Sequence, residues 1–403
     1  MRSLPQKDPP GFIWSKAIDR PNNGLRTMYR ETGVWSPVWS PRVCPTGARP
    51  MLVLLALLTL AGWAPGSARA AAGAQPDTAG YTYYSIGEPP TAHATGSRAA
   101  MLLLGGGEWP MPAIRDFIAA AGKGHIVILR ASGDDAAQLD FWQNGGGPHA
   151  VSTVVFHNRQ ASFDPKVVRL LESADGIFIA GGDQGDYIRF WDGTPVQQAM
   201  NEHVRAGRPI AGTSAGLAIL GRHAYGCLDG DSMDSPRALA DPLRSGLTLW
   251  SGLLTLPGLE HVFTDSHFTE RHRLGRLVAF LARLAHEQPT TAGAVVGLGI
   301  DEESGLWIEP TGEARVVSRK QGSVWWVKPT SAAALLQPGK PLTQSGIEVV
   351  QLGTESSIHL SVGANGSDGL PMAQWVFAKT TMHYRAHAAD GVLQLERVAE
   401  DSP

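Results

Sequence analysis

The sequence is poor in cysteine, has no excess of basic charge and contains no apolar run long enough to cross a membrane. Its 403 residues include only Cys44 and Cys227, which excludes a disulfide-rich scaffold and a cysteine-ligated zinc site. The 34 Lys and Arg residues are matched by 37 Asp and Glu residues, so the charge does not indicate nucleic-acid binding. Glycine and proline, at 47 and 28 residues, are too few for a low-complexity chain. What remains is a globular protein with 43% hydrophobic residues.

The longest apolar run, residues 51–63, is shorter than the roughly 20 residues that a membrane-spanning helix needs. Arg49 precedes the run, and Ala68-Arg69-Ala70 follows it. A basic flank, a short apolar core and an Ala-x-Ala end are typical of a secretory signal peptide. We therefore predict a signal peptide at 51–70 and export to the periplasm or the extracellular space. Residues 1–50 are expected to be untranslated or removed.

Removal of residues 1–70 changes the charge of the chain. That segment holds nine basic and three acidic residues, so the totals of 34 and 37 fall to 25 and 34, a net charge of −9. Only Cys227 remains, which excludes an internal disulfide. An acidic exported protein is poorly suited to bind nucleic acid or an anionic membrane, and no stable membrane insertion is expected after signal cleavage.

The rest of the chain is predicted to be a linker, an α/β domain and a β-rich extension. Residues 71–97, rich in small and polar side chains, are predicted to be a linker. Short apolar runs then predict strands at 99–104, 125–129, 151–156, 176–180, 208–211, 261–264 and 294–300. Amphipathic stretches predict helices at 111–122, 163–174, 195–206, 214–221 and 269–286. This alternation indicates a doubly wound, mainly parallel sheet with helices on both faces over residues 98–310. Shorter β-like runs predict the extension at 311–403, although residues 353–403 are weakly patterned.

A Gly-x-Ser-x-Gly element, Gly212-Thr-Ser-Ala-Gly216, lies between a predicted strand and a predicted helix. This is the context of a nucleophile elbow, in which glycines permit a tight turn and keep side chains away from the substrate. Ser214 is therefore the candidate nucleophile, and the Ala215 N–H at the helix start is a candidate oxyanion donor. The alternative is a Gly/Ser turn without chemistry.

A second glycine-rich turn, Gly181-Gly-Asp-Gln184, ends the preceding predicted strand. Adjacent glycines let the backbone approach a ligand closely, so the Gly182 N–H is the second candidate oxyanion donor. Gln184 is then a candidate pocket residue. The alternative is a glycine-rich turn between a strand and a helix.

A serine nucleophile needs a base, and position favours His267. It lies in Asp265-Ser-His-Phe268, directly after a predicted strand, and is followed by Arg271, Arg273 and Arg276. The guanidinium group of arginine suits substrate carboxylates. If all three arginines were helical, Arg271 would point away from Arg273 and Arg276, so the three side chains converge only if Arg271 lies in the turn before the helix. The other histidines considered are His223, His261 and His272. A metal hydrolase that uses His261, His267 and His272 is disfavoured because their spacing matches no recognised ligand pattern.

The acid that orients the base stays open between two clusters. One is Asp301-Glu-Glu303, after the last strand of the α/β pattern, and the other is Asp229, Asp231 and Asp234. Spacing alone does not choose between them. An order of serine, histidine and then acid, which the first cluster gives, differs from the order in α/β-hydrolases and disfavours a lipase or esterase.

Taken in order, these motifs resemble the cyanophycinase family. The resemblance covers about 100–352 and rests on Gly181-Gly-Asp-Gln184, Gly212-Thr-Ser-Ala-Gly216, Asp265-Ser-His-Phe268, Arg271-x-Arg-Leu-Gly-Arg276 and Gly299-Ile-Asp-Glu302, with Pro341-Leu-Thr-x-x-Gly346 near its end. The family comprises serine exopeptidases related to aspartyl dipeptidase (peptidase E). It implies a class-I glutamine-amidotransferase-like, flavodoxin-like three-layer fold, a homodimer, and neither cofactor nor metal.

The resemblance also implies roles for individual residues. Ser214 would be the nucleophile, His267 the general base and Glu302 the orienting acid, with an oxyanion hole from the Gly182 and Ala215 amides. The implied pocket residues are Gln184, Asp265, Ser266, Arg271, Arg273 and Arg276. The implied substrate is cyanophycin, a poly-aspartate with arginine on each β-carboxyl, which is cut to β-Asp-Arg dipeptides.

One residue departs from the family pattern, because Ser266 stands where cyanophycinases usually have Gln. Serine is shorter and does not span the same hydrogen bonds, so the substrate specificity is the property most affected. Two alternatives remain open: a dipeptidase acting on short Asp-containing peptides, and a catalytically silent binding protein on the same fold.

Overall fold

The computed structural model describes residues 80–398, apart from residues 231, 292, 367 and 380. The predicted signal peptide at 51–70 and the segment before it lie outside the described residues. Within the described part, no helix combines the length and the apolar character needed to cross a membrane.

Two sheets organise the described residues. In spatial order, the first sheet contains β1 (Tyr81–Gly87), β4 (Ala150–Phe156), β3 (His125–Arg130), β5 (Gly176–Ile179), β6 (Ile210–Thr213), β2 (Met101–Leu104), β11 (Ser304–Ile308), β12 (Glu313–Ser318), β15 (Ser357–Asn365) and β16 (Pro371–Ala378). The second contains β18 (Val392–Arg397), β17 (Thr381–Ala389), β14 (Gln344–Leu352), β13 (Val324–Pro329), β10 (Val296–Ile300), β9 (Val262–Asp265), β7 (His223–Tyr225) and β8 (Leu249–Ser251). Neighbouring strands from β4 to β2 are parallel, as are β7, β9 and β10.

The helices connect these strands and cover their faces. They are α1 (Met111–Ala120), α2 (Ala136–Asn144), α3 (Pro165–Glu172), α4 (Gln184–Trp191), α5 (Pro195–Arg205), α6 (Ala215–Ala218), α7 (Ser235–Ala240) and α8 (Leu274–Glu287), with 3-10 turns at Arg159–Phe163 and Pro289–Thr291. Proline at the start of α3, α5 and α7 suits a helix N-terminus, where its missing N–H leaves no hydrogen bond unmade.

Apolar side chains divide the interior into three clusters. One face of the first sheet packs on α1 and α2, with Phe141 edge-on to Phe178 at a centroid distance of 4.8 Å. The opposite face packs on α3 to α5 and, further along, on the inner face of the second sheet. The outer face of the second sheet is covered by α7 and α8, whose buried side chains include Phe280. Each parallel strand is therefore buried on both faces, which explains its continuous apolar run.

The predicted α/β class with a β-rich C-terminal region is confirmed, but the strands do not form one sheet. β9 and β10 were predicted beside the other parallel strands and lie instead in the second sheet. A strand that is buried on both faces has a continuous apolar run in either sheet. The sequence pattern therefore does not indicate which sheet the strand joins.

Several element bounds also differ from the prediction. The predicted linker at 71–97 contains β1, a half-buried edge strand that pairs antiparallel with β4. The weakly patterned segment after 353 forms β15 to β18, and the sequence pattern missed α2, α4 and α7. The helix predicted at 214–221 covers only Ala215–Ala218, and that predicted at 269–286 begins at Leu274.

Candidate active site

Ser214 occupies a strained turn between β6 and α6. Its backbone lies at φ 54° and ψ −116°, which a non-glycine residue rarely adopts. The turn closes tightly because both flanking residues are glycine. A Cβ at Gly212 would lie 2.6 Å from the Gly216 carbonyl oxygen, and one at Gly216 would lie 2.1 Å from the Ile179 carbonyl oxygen. The glycines thus allow the close approach that places Ser214 at the carboxyl end of the sheet.

A continuous chain of hydrogen bonds joins Ser214 to His267 and Glu302. Ser214 Oγ lies 2.6 Å from His267 Nε2, and His267 Nδ1 lies 2.5 Å from Glu302 Oε1. An ionised carboxylate only accepts hydrogen bonds, so Nδ1 carries the proton and Nε2 is left to accept from the serine hydroxyl. This is the tautomer that a general base for Ser214 requires.

The carboxyl ends of three strands bring these residues together. Ser214 follows β6, His267 follows β9, and Glu302 follows β10. The His267 N–H donates to the Gly105 carbonyl oxygen, which follows β2, at 2.8 Å. Both sheets therefore contribute to the site.

The triple glycine after β2 forms the surface on which the imidazole of His267 rests. A Cβ at Gly106 would lie 2.3 Å from His267 Cε1, and its φ of 110° also favours glycine. The Gly106 carbonyl oxygen accepts the Glu303 N–H at 2.8 Å. The run Gly105-Gly-Gly107 was visible in the sequence at a strand end, but only the fold reveals that it supports His267.

The two candidate oxyanion donors lie on either side of the nucleophile. Ala215 directly follows Ser214 and begins α6. On the other side, a Cβ at Gly181 would lie 3.4 Å from Ser214 Cβ, so the turn that carries Gly182 passes beside the serine. The buried Tyr187 hydroxyl lies within hydrogen-bonding distance of the carbonyl oxygens of Ala180 and Gly181, at 2.8 and 3.0 Å, and so fixes this turn.

Electrostatics favour the neutral form of His267. Burial lowers the pKa of His267 below its usual value, and the positive charges of Arg271 and Arg273 lower it further. The hydrogen bond and charge of Glu302 oppose this shift without reversing it. An imidazole that is neutral near pH 7 can accept a proton from Ser214.

Four of the predicted pocket residues are buried and paired with one another. Arg276 donates to both carboxylate oxygens of Asp265, at 2.8 Å from Nε and 2.5 Å from Nη2. Arg273 Nη1 donates to the Ser266 carbonyl oxygen at 2.8 Å and lies 3.4 Å from Ser266 Oγ. Burial would raise the pKa of Asp265, but Arg276 and Arg273 hold it below its usual value. Asp265 and Arg276 thus satisfy each other's charge in this structure. The pocket roles of Asp265, Ser266, Arg273 and Arg276 stay predictions.

Arg271 differs from the other two arginines. It lies in the turn before α8, as the sequence analysis required for the three arginines to converge. Its side chain is exposed. Within residues 80–398 as described, its guanidinium makes no hydrogen bond or ion pair, yet its charge acts on both His267 and Arg273. It is thus free to bind a carboxylate near the catalytic histidine.

The remaining candidates fall into three groups. Gln184 begins α4 and donates to the Tyr225 carbonyl oxygen at 3.2 Å. Among the other histidines, His223 contacts Ser251, His261 lies beside Asp368, and His272 is exposed. Among the other acids, Asp234 caps α7, Asp229 lies near Gly246, and Asp231 lies outside the described residues.

In the described part of the chain, no group of three or more His, Cys, Asp or Glu side chains is placed so that it could hold a metal ion.

Comparison with known proteins shows which family and which relatives this chain is similar to. The model of peptidase family S51 matches residues 101–312. A cyanophycinase of Nostoc sp. is 30% identical over 283 residues, covering 66% of this chain and 86% of the relative. A cyanophycinase of Synechococcus elongatus is 33% identical over 186 residues, covering 45% of this chain and 51% of the relative. The crystal structure of a peptidase from an acI-B1 actinobacterium matches with a TM-score of 0.42 and 19% identity, covering 66% of this chain and 98% of that one.

Proposed function

The chain belongs to peptidase family S51 and is a serine peptidase, and from this premise we propose that it hydrolyses cyanophycin to β-Asp-Arg dipeptides. The observation that carries the proposal is the unbroken hydrogen-bonded chain from Ser214 through His267 to Glu302, with distances of 2.6 and 2.5 Å. The similarity to cyanophycinases supports the proposed substrate class.

Acylation begins when Ser214 Oγ attacks the carbonyl carbon of the scissile bond and His267 Nε2 takes the hydroxyl proton. The Gly182 and Ala215 amides donate to the negative oxygen of the tetrahedral intermediate. His267 then protonates the leaving amine, the C–N bond breaks, and an acyl-enzyme remains on Ser214. Water, deprotonated by His267, then attacks the acyl carbon. The C–O bond to Ser214 breaks as the imidazolium returns its proton to Oγ, and the acid is released. Glu302 stabilises the imidazolium that forms in each half of the reaction.

The free arginine at the site fits an anionic part of the substrate. Cyanophycin has a carboxylate on each arginine that it bears and a further carboxylate at its chain end. Exposed and unpaired among the described residues, Arg271 is the side chain that we assign to bind such a carboxylate. Because Asp265 is paired with Arg276, we assign no substrate guanidinium to it.

The test is hydrolysis of cyanophycin and of short Asp-containing peptides by the purified protein, with and without a chelator. Release of β-Asp-Arg that falls by about 10⁴-fold or more in Ser214→Ala supports the proposal. A matched control is Ser331→Ala, which removes an exposed hydroxyl that bonds to the Ser345 carbonyl oxygen.

Each of the other outcomes indicates a different function or mechanism. Hydrolysis of short peptides alone indicates the dipeptidase, and activity that persists in Ser214→Ala contradicts the nucleophile assignment. The absence of both hydrolysis and acyl-enzyme formation indicates a silent binding protein. Activity lost only with the chelator indicates a metal hydrolase.

We also propose that the protein is exported, on the basis of the basic flank, apolar core and Ala-x-Ala end at 51–70. Export would suit an enzyme that degrades polymer released by other cells. N-terminal sequencing of the protein from its native source tests this: an N-terminus just after Ala70 supports export, and retention of 51–70 contradicts it.

A further inference from the structure

Two segments carry the His267–Glu302 pair, and a side chain of each segment is hydrogen-bonded to the other. The first segment, 267–270, follows β9 and is called the histidine turn below. The second, 301–303, follows β10 and is called the acid turn. Both turns contain residues at positive φ, at His267 (46°) and Glu303 (55°), so neighbouring contacts must hold them in place.

From the acid turn, Asp301 holds the histidine turn. Its Oδ1 accepts hydrogen bonds from the Thr269 N–H at 3.0 Å and the Thr269 hydroxyl at 2.6 Å. The same carboxylate is anchored at the start of β13. It accepts from the Trp325 indole N–H in that strand at 3.1 Å and, through Oδ2, from the N–H of Ser323, the residue before the strand, at 2.9 Å. Asp301 is 5% exposed, so water does not replace these contacts readily.

From the histidine turn, Glu270 holds the acid turn in return. Its Oε2 accepts the Glu302 backbone N–H at 3.0 Å, which fixes the residue whose side chain accepts from His267. Each turn therefore supplies one carboxylate to the other. Asp301, which directly precedes Glu302, bonds to Thr269, two residues after His267, and Glu270 bonds to the backbone of Glu302 itself.

We propose that Asp301, Thr269 and Glu270 form a reciprocal clasp that positions the His267–Glu302 pair for catalysis, an inference that rests on the proposed function of that pair. None of the three side chains is hydrogen-bonded to Ser214 or to the imidazole of His267. They act by fixing the backbone from which His267 and Glu302 project. A displacement of about 1 Å in a catalytic group is enough to reduce turnover by roughly a hundredfold.

The clasp has a consequence that a purely structural contact would not have. The groups whose charges act on His267 are Glu302, which raises its pKa, and Arg271 and Arg273, which lower it. If the clasp opens and Glu302 moves away, the opposing effect is lost and the pKa of His267 falls. The acid limb of the kcat/KM profile should then move to lower pH while the maximal rate decreases.

The variants come in matched pairs. Thr269→Val removes the hydroxyl that donates to Asp301 without changing charge, and Thr269→Ser restores it. Glu270→Ala removes the acceptor for the Glu302 N–H, whereas Glu270→Gln loses the charge but keeps an acceptor oxygen. Thr330→Val is the control, because it removes a similar exposed hydroxyl bond, 2.7 Å to the Gly346 carbonyl oxygen, outside both turns.

We expect Thr269→Val and Glu270→Ala to lower kcat by roughly ten- to a hundredfold, with KM nearly unchanged and the acid limb at lower pH. Thr269→Ser, Glu270→Gln and Thr330→Val should stay within about threefold of the wild type. A loss in Glu270→Gln equal to that in Glu270→Ala would show a charge effect and overturn the clasp. The clasp would also be overturned if Thr269→Val lowered kcat but left the acid limb of the kcat/KM profile at the same pH.

A second measurement does not depend on peptidase activity. The pKa of His267 is followed by NMR titration of its Cε1 proton, assigned by the signal lost in His267→Gln. A lower pKa in Thr269→Val and Glu270→Ala than in their partners supports the clasp even if no peptide is cleaved, which would count against the proposed function alone. Unchanged titration in both variants, with folding verified by circular dichroism, refutes the clasp.

Discussion

Replacement of Glu302 by glutamine tests the assignment of the acid most directly. Glu302 accepts from His267 Nδ1 at 2.5 Å and keeps the proton on that nitrogen. A glutamine can instead present its NH₂ group to Nδ1, which moves the proton to Nε2 and removes the base that faces Ser214. The change alters few atoms, so the fold should be preserved.

The expected loss follows from the role and the exposure of Glu302. Comparable substitutions that favour the wrong histidine tautomer lower kcat by about 10⁴-fold. The Glu302 side chain is 32% exposed, so water can support part of the imidazolium charge. We therefore expect a loss of about 10³-fold in kcat, which corresponds to about 4 kcal/mol at 1.36 kcal/mol per tenfold, with little change in KM.

Steady-state kinetics and the rate of Ser214 labelling by a serine-directed phosphonate measure this loss. Glu309→Gln is the control, because Glu309 lies just beyond the far end of β11, is ion-paired with Arg98 and has a side chain that is 28% exposed. A loss of less than about tenfold in Glu302→Gln would refute the assignment. So would an equal loss in Asp229→Asn or Asp231→Asn, since either would identify another orienting acid.

Four further predictions follow from the site. Because burial lowers the pKa of His267, the acid limb of kcat/KM should lie below pH 6.5, the ordinary value, and an acid limb above it would contradict the assignment. Asp265→Asn leaves the buried Arg276 without its carboxylate partner and should lower the free energy of unfolding by about 3–5 kcal/mol in urea denaturation, with Asp116→Asn at the exposed Arg315–Asp116 pair as the control. Arg271→Ala should raise KM for carboxylate-bearing substrates by about tenfold or more and leave the Tm nearly unchanged, whereas an unaltered KM would exclude it from binding. Gly106→Ala places a methyl group 2.3 Å from His267 Cε1 and should abolish phosphonate labelling while Gly96→Ala, where nothing lies within 4 Å, does not.

Much of the local structure was predictable from neighbouring residues. The parallel strands appeared as apolar runs because both of their faces are buried, and α1 and α5 agreed with the predicted helices. The elbow around Ser214 was recognisable because its glycines are required by contacts within the turn and with the adjacent strand. β1 was missed because an edge strand is only half buried, so its aromatic residues did not stand out from a polar, small-residue segment.

The site itself was predictable only in part. His267 was favoured by its place after a strand, whereas its acid was left open among six carboxylates. Two of the predicted pocket residues, Asp265 and Arg276, lie eleven positions apart and pair with each other, which the spacing did not indicate. Thr269 and Glu270 carry no recognisable signal in the sequence, because no local pattern marks a residue that bonds from one turn to another.

The sequence by itself determined the α/β class, the elbow at Ser214 and the ordered set of motifs that resembles cyanophycinases. These depend on side chains close together along the chain, where burial and turn geometry leave a periodic or glycine-rich pattern. Only the tertiary structure decided that Glu302 is the partner of His267, that Asp265 is withdrawn into an ion pair, and that β9 and β10 form a second sheet. Those outcomes depend on contacts between residues far apart along the chain, from 11 positions between Asp265 and Arg276 to 35 between His267 and Glu302. Chain folding creates such contacts by bringing strand ends together, and no short-range pattern records them.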